Sequence, residues 1–174
     1  MILQTHRLIL EPILESELTT LYEILTDSYV RRYLCDDKIL PLQQVEEMIV
    51  QSKKSFEEEG VGLWFIQLKD IKEVSGFIGL WYFFDEEQPQ LIYALLPKST
   101  KKGYATEATI RLLDYCFIEL NYEYLLTSCD RLNVESQKLA KRLGMKEIEE
   151  KIVNENPILF FKIEKSHWER RNKN

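Results

Sequence analysis

An apolar run, Leu91–Pro97, passes through the basic turn Lys101-Lys102-Gly103 into a segment that begins Tyr104-Ala105-Thr106-Glu107-Ala108. This junction constrains the fold more than any other stretch. Ala105, Ala108, Leu112, Cys116 and Leu120, joined by Leu113 and Phe117, recur at helical spacing over about 103–120. A strand-like segment follows at about 123–128. Strand, helix and strand within about forty residues form a βαβ unit, with parallel strands and a right-handed crossover.

The junction also has a chemical consequence. A strand that turns tightly into a helix N-terminus gathers free backbone N–H groups at one spot, with the positive end of the helix dipole behind them. Lys101 and Lys102 add charge, and Gly103 lets a guest approach the backbone closely. A pyrophosphate fits such a turn, which makes it a seat for a nucleotide-like cofactor. The plainer reading treats the lysines as surface charges and Thr106 and Glu107 as first-turn helix residues, with Glu107 complementing the dipole.

Elsewhere the chain alternates between the two periodicities. Residues 2–11 read as a strand ending at Pro12, and 15–27 as a helix with Leu18, Leu21, Ile24 and Leu25 on one face. A short helix is predicted around 28–34, and a longer one over 42–59 that starts after Pro41 and stops at Gly60. Three strands at about 61–69, 73–84 and 90–96 are separated by Asp70-Ile71-Lys72 and by Asp85-Glu86-Glu87-Gln88-Pro89, as in an antiparallel meander. A helix over 133–143 ends at Gly144 as a left-handed cap. The last hairpin, 145–153 and 157–164, turns at Asn154-Glu155-Asn156-Pro157. The expected architecture is α+β: a mostly antiparallel central sheet with one parallel βαβ crossover, in a single domain over residues 1–174.

Several function classes are excluded. Lys and Arg number 23 against 29 Asp and Glu, a net charge of −6 that repels nucleic acid. The short basic stretch Lys165–Lys173 reads as solvated chain end. Three widely spaced cysteines without a C-x-x-C pair, Cys35, Cys116 and Cys129, argue against a disulfide framework or zinc site. The N-terminus has no long apolar signal core and no run approaches about 18 apolar residues, so a cytoplasmic protein with no membrane partner is expected. Phosphate-loop, dinucleotide and nucleophile-elbow motifs are absent. The two histidines, His6 and His167, lie near opposite ends and make a histidine-based site improbable.

Two motifs at this point resemble the GNAT superfamily of acyl-CoA-dependent acetyltransferases. The family's Gln/Arg-x-x-Gly-x-Gly/Ala turn corresponds to Thr100-Lys101-Lys102-Gly103-Tyr104-Ala105. Its Asn-x-x-Ser and Leu-Gly-Phe-like helix end correspond to Asn133-Val134-Glu135-Ser136 and Arg142-Leu143-Gly144-Met145. Gly-Tyr-Ala-Thr-Glu-Ala, the Asn-x-x-Ser form and Arg7-Leu8-Ile9-Leu10 are most similar to the branch that acetylates N-termini of ribosomal proteins. The resemblance spans nearly the whole chain. It implies splayed central strands, acetyl-CoA as cosubstrate with no metal, and direct transfer of the acetyl group to an amine, either a peptide N-terminus or a small amine.

The resemblance also implies a site. Lys101, Lys102, Gly103, Tyr104, Ala105 and Thr106 would hold the pyrophosphate, the strand edge at Leu95 and Leu96 would pair with the pantetheine amides, and Asn133 would contact that arm from the far side. Asn133 is equally suited to capping its helix. A backbone N–H near Leu95 would polarise the thioester carbonyl. The family's tyrosine acid is replaced by Ala140, so Ser136 is the candidate donor to the departing thiol. Glu155 is the candidate base by spacing, with Glu149, Glu150 or a water wire as alternatives, because an alkyl amine must lose a proton before it attacks. Tyr29, Tyr33, Trp64, Trp81 and Tyr82 are aromatics available to wall the acceptor site, core packing being the default for most. Thr100, Gln90 and Ala140 depart from the family pattern and define a rival: an acyl-CoA-binding sensor or scaffold without catalysis. Exposed edge strands in the C-terminal hairpin are compatible with a homodimer.

Overall fold

A computed structural model describes residues 1–84 and 86–172. The strands are β1 (Leu3–Gln4), β2 (Leu8–Pro12), β3 (Leu63–Leu68), β4 (Val74–Trp81), β5 (Gln90–Leu95), β6 (Tyr124–Asp130), β7 (Lys146–Val153) and β8 (Asn156–Glu164). The helices are α1 (Leu18–Thr26), α2 (Ser28–Leu34), α3 (Leu42–Glu59), α4 (Tyr104–Asp114), α5 (Val134–Arg142) and α6 (Lys165–Asn172). The strands form one sheet in the order β1-β2-β3-β4-β5-β6-β8-β7, antiparallel except for β5 beside β6. The α+β architecture with a single parallel crossover is as expected from the sequence.

Period-2 alternation sends successive side chains to opposite faces, and each face has its own core. Trp64 and Ile66 of β3 join Leu112, Cys116 and Leu139 on the α4–α5 face. Leu63 and Phe65 join Leu21, Val45 and Ile49 on the α1–α3 face. The helix ends follow their signals. Asp27 caps α2 by accepting from the Tyr29 and Val30 N–H groups, and Gly60 closes α3 at φ +76°.

Three expectations are corrected. Residues 2–11 form a hairpin rather than one strand. Thr5-His6-Arg7 turns the chain, with the Thr5 N–H donating to the Leu8 carbonyl at 3.0 Å. The helix predicted to 120 leaves α-geometry at Tyr115, where a π-type turn closes with the Leu120 N–H on the Tyr115 carbonyl. The basic C-terminal stretch is not a free end over its described part: it forms α6. Trp168 is 3% exposed and its indole N–H donates to Asp114 Oδ1 at 2.9 Å. Lys173 and Asp85, which fell in predicted loop or tail segments, lie outside the described residues.

The feature that positions the site is a failure of the sheet. β5 and β6 share a single registered pair, Leu91 with Thr127, reinforced by the Thr127 hydroxyl donating to the Leu91 carbonyl at 2.9 Å. β6 remains paired to β8 along its whole length, from Tyr124–Glu164 to Asp130–Ile158. Beyond Leu91 the two halves of the sheet diverge.

Candidate active site

The divergence opens a cleft of about 690 Å³ whose walls are the C-terminal parts of β5 and β6, α2, and the start of α5. The Leu96 N–H donates to the Ser75 carbonyl at 2.9 Å, so Leu96 faces β4. Peptide groups alternate along a strand, which turns Tyr93 and Leu95 toward the cleft, where β6 is out of reach. Leu95 thus lies on the free edge, as expected. Leu96 does not: its amide is already paired, and it is removed from the set of edge residues.

The basic turn follows β5 through a single 3-10 turn, Pro97–Ser99. Lys101 sits at φ +59° and Gly103 at φ +83°, and this alternation of hand curls the backbone into a concave nest of amides. Among the described residues, no acceptor meets the N–H groups of Lys101, Lys102, Gly103, Tyr104, Ala105 or Thr106. The first amide of this stretch to be paired is Glu107, on the Gly103 carbonyl. Six free donors at the positive end of α4 make an anion seat, and the residues present fit a pyrophosphate.

Arg7 braces this seat from behind. Its Nη1 donates to the Lys102 carbonyl at 3.0 Å, and its guanidinium lies 4.7 Å from the centre of the Tyr104 ring. Glu107 fixes Arg7 in turn. It accepts from the Thr5 hydroxyl at 2.6 Å, the Arg7 N–H at 2.8 Å and Arg7 Nε at 2.7 Å. Burial acts to raise the Glu107 pKa, but the hydrogen bonds from Thr5 and Arg7 together outweigh it and hold the carboxyl below its ordinary value. Glu107 therefore does more than complement a dipole: it ties the β1–β2 hairpin to the helix that bears the seat. Thr106 accepts from Arg142 Nη1 at 3.2 Å, which brings a further cation beside the turn.

On the far wall, Asn133 caps α5, its Oδ1 accepting from the Ser136 N–H at 3.1 Å, and it also lines the cleft. The capping role is filled, and the residue's place on the cleft wall is where the expected contact to the cofactor arm would be made. Ser136 lines a smaller cavity of about 20 Å³ behind the cleft, together with Tyr93, Thr127 and Ala140. Its hydroxyl accepts from the Tyr93 hydroxyl at 3.0 Å. Burial, only partly offset by the bond to Ser136, pushes the Tyr93 phenol up to about 12. Glu155 occupies the two-residue turn between β7 and β8 at φ +67°, exposed, beside Asn154 at the cleft rim. Glu149 and Glu150 are exposed on β7 and engaged by Lys151 and Arg131.

Of the aromatics, Tyr29 and Tyr33 of α2 line the cleft, joined by Phe83 and Phe84. Trp64 is completely buried, and Trp81 packs in the α1–α3 core. The Tyr82 hydroxyl is bound to Glu59. Those three belong to packing or surface. Gln90 is 0% exposed, and neither polar atom of its amide meets a partner among the described residues. Burial raises the Cys35 thiol to about 11 and the Cys129 thiol to about 12, with Asp36 and Asp130 adding to the effect, and raises Cys116 further. None of the three is a ready nucleophile.

Tyr93 escaped the sequence reading, and Arg7 and Arg142 entered it only as motif residues without a role at the site. Tyr93 sits in an alternating strand with no local mark, and the two arginines act across the fold.

Among the described residues no helix is long and apolar enough to cross a membrane. The family model for the acetyltransferase (GNAT) domain matches residues 7–146. The uncharacterized N-acetyltransferase YnaD of Bacillus subtilis (strain 168) is 25% identical over 142 residues, covering 82% of this chain and 81% of that protein. YoaA, described in the same terms and from the same strain, is 24% identical over 144 residues, with 82% and 81% covered. A GNAT-family acetyltransferase from Bacillus anthracis shares the fold with a TM-score of 0.80 at 19% identity, covering 95% of this chain and 99% of that one. So does RimL, a ribosomal L7/L12 alpha-N-protein acetyltransferase in complex with coenzyme A, with a TM-score of 0.79 at 12% identity and 94% and 98% covered. A strand-to-helix anion seat, a parted pair of parallel strands and a family match over residues 7–146 agree, and this chain belongs to the GNAT family of acetyltransferases.

Proposed function

We propose that a single domain spanning residues 1–174 transfers an acetyl group from acetyl-CoA to a primary amine by direct attack, the acceptor being a peptide N-terminus or a small amine. The observation that carries this reading is the run of six unpaired N–H groups at 101–106 placed at the end of a strand whose own free edge faces the cleft. Lys101–Thr106 would hold the pyrophosphate, and the edge at Tyr93 and Leu95 would pair with the pantetheine amides. An N–H of that edge would polarise the thioester carbonyl. Ser136 would donate to the departing sulfur, and Glu155 or a water wire at the cleft rim would take the amine proton. The high thiol pKa values favour direct attack over a cysteinyl intermediate. Asp36, Asp130 and Glu135 against Arg32 leave the lining net acidic, which suits a cationic acceptor.

Calorimetric titration with acetyl-CoA and coenzyme A, followed by thiol release against a panel of peptides and small amines, tests the reading. Gly103→Asp sets a Cβ 3.3 Å from Arg7 Nη2 on a residue at φ +83°, which distorts the turn and draws Arg7 from its bond to Lys102, and coenzyme A affinity is expected to fall about 100-fold with the far-UV spectrum unchanged. Unchanged affinity refutes the seat. Binding without thiol release from any amine favours the sensor reading, for which the departures Ala140, Gln90 and Thr100 from the family pattern speak.

A further inference from the structure

The departing thiolate needs a hydrogen-bond donor, and the wall around Ala140 offers few. Leu139, Leu143 and Met145 are apolar, and the Thr127 hydroxyl is committed to the Leu91 carbonyl. Ser128 and Ser136 supply the serine hydroxyls, Cys129 is only a weak donor, and Ser136 is the one on the first turn of α5; a lone serine hydroxyl rotates. It points its proton wherever an acceptor is nearest. Here it is not alone. Tyr93 of β5 reaches the first turn of α5, 43 residues away in sequence, and donates to Ser136 Oγ at 3.0 Å. The bond ties β5 to α5 beyond the last registered pair of the β5–β6 ladder.

We propose that Tyr93 is a positioning residue for acetyl transfer: by occupying a lone pair of Ser136 Oγ, it leaves the Ser136 proton directed at the departing sulfur. This rests on the reading that Ser136 serves the leaving group. A hydroxyl that accepts a hydrogen bond also donates a stronger one, because each bond in such a chain polarises the next. The carbon–nitrogen bond forms, the carbon–sulfur bond breaks with its electron pair going to sulfur, and the amine gives its proton to Glu155 or to the water wire and thence to solvent. Sulfur is held by the Ser136 O–H and takes its final proton from solvent, so neither hydroxyl ends the cycle deprotonated. A phenol raised to about 12 suits this role, since it remains a donor throughout the working range.

A double-mutant cycle tests the coupling. Tyr93→Phe keeps the ring and removes only the hydroxyl. Thiol release would be measured at saturating acetyl-CoA with the fastest amine of the panel, or with hydroxylamine after subtraction of the uncatalysed rate. Tyr93→Phe should lower kcat about tenfold and leave the KM for acetyl-CoA within about twofold. Ser136→Ala should lower kcat further, and in that background Tyr93→Phe should change it less than about twofold. An equal loss in both backgrounds, or a loss confined to KM, assigns Tyr93 to packing and overturns the proposal. Wild-type protein that binds acetyl-CoA but releases no thiol with any nucleophile overturns the transferase reading and this inference with it. Transfer by the wild type with an additive cycle overturns the inference alone.

Discussion

Glu107 joins the N-terminal hairpin to the turn at 101–106 proposed to hold the cofactor, and its replacement by glutamine has a calculable effect. The carboxylate accepts three hydrogen bonds: from the Thr5 hydroxyl, the Arg7 N–H and Arg7 Nε. The amide can keep the first two on its single oxygen, but its NH2 then faces Arg7 Nε, donor against donor. The lost pair is partly exposed, at 43% for Arg7 and 19% for Glu107, so solvent screening limits its worth to about 0.5–1 kcal/mol. Weakening the two remaining bonds from charge-assisted to neutral removes about 1 kcal/mol more. The total of about 2 kcal/mol corresponds to roughly 4–8 °C in Tm for a chain of this size. The pH dependence supplies the sharper test. The folded-state pKa of Glu107 is depressed, so its contribution is present above the unfolded-state value and is lost as pH falls through the folded one. Urea unfolding of wild type and Glu107→Gln at neutral pH and at steps down through the carboxylate range should show the two stabilities converging. Because Arg7 leans on Lys102 and Tyr104, the variant should also bind coenzyme A more weakly. A stability difference near zero at neutral pH, or one that does not shrink on acidification, would refute the argument.

Two other substitutions probe the frame of the cleft. Gly76 lies at φ +152°, and a Cβ built there falls 2.0 Å from the Ala94 carbonyl oxygen and 2.8 Å from Leu95 Cα. Backbone atoms cannot step aside, so Gly76→Ala should push β4 away from β5, cost about 3 kcal/mol or more, and weaken coenzyme A binding; wild-type Tm and affinity would contradict this. Ser52 is 0% exposed and its Oγ accepts the Leu63 N–H at 2.8 Å. Ser52→Ala strands that amide and should cost about 1–3 kcal/mol in urea unfolding, whereas a change within experimental error would mean that the amide finds another partner.

What could be read in advance depended on how far apart the interacting residues lie. The helix stop at Gly60, the strand-to-helix turn at Gly103 and the cap at Asn133 are each decided within a few residues, and all three occur as expected. The hairpin at Thr5-His6-Arg7 was hidden because its strands are short and carry no Gly or Asn-Gly turn. Glu107 was misjudged because its partners, Thr5 and Arg7, are 102 and 100 residues distant. The bond between Tyr93 and Ser136 joins a strand to a helix across the crossover, and neither residue's neighbours announce it. Leu96 was placed on the free edge because the parity of a strand is fixed by its pairing with β4, which the sequence does not number. Trp168 looked like part of a charged tail since one aromatic among Lys, Glu and Arg gives no periodicity to follow.

The parting of β5 from β6 gives this molecule an edge strand in its middle. Outer edges invite any passing strand, and β7, exposed along nearly its whole length, carries Lys146 and Lys151 among its glutamates, the kind of charge that discourages such pairing. The inner edge needs no such guard, because α2 and the start of α5 narrow the approach. A polypeptide strand that paired there would have to fit side chains on both faces between those walls. A slender chain with amides asks for less room, so completing the sheet from within favours a guest unlike the strands that threaten it from outside.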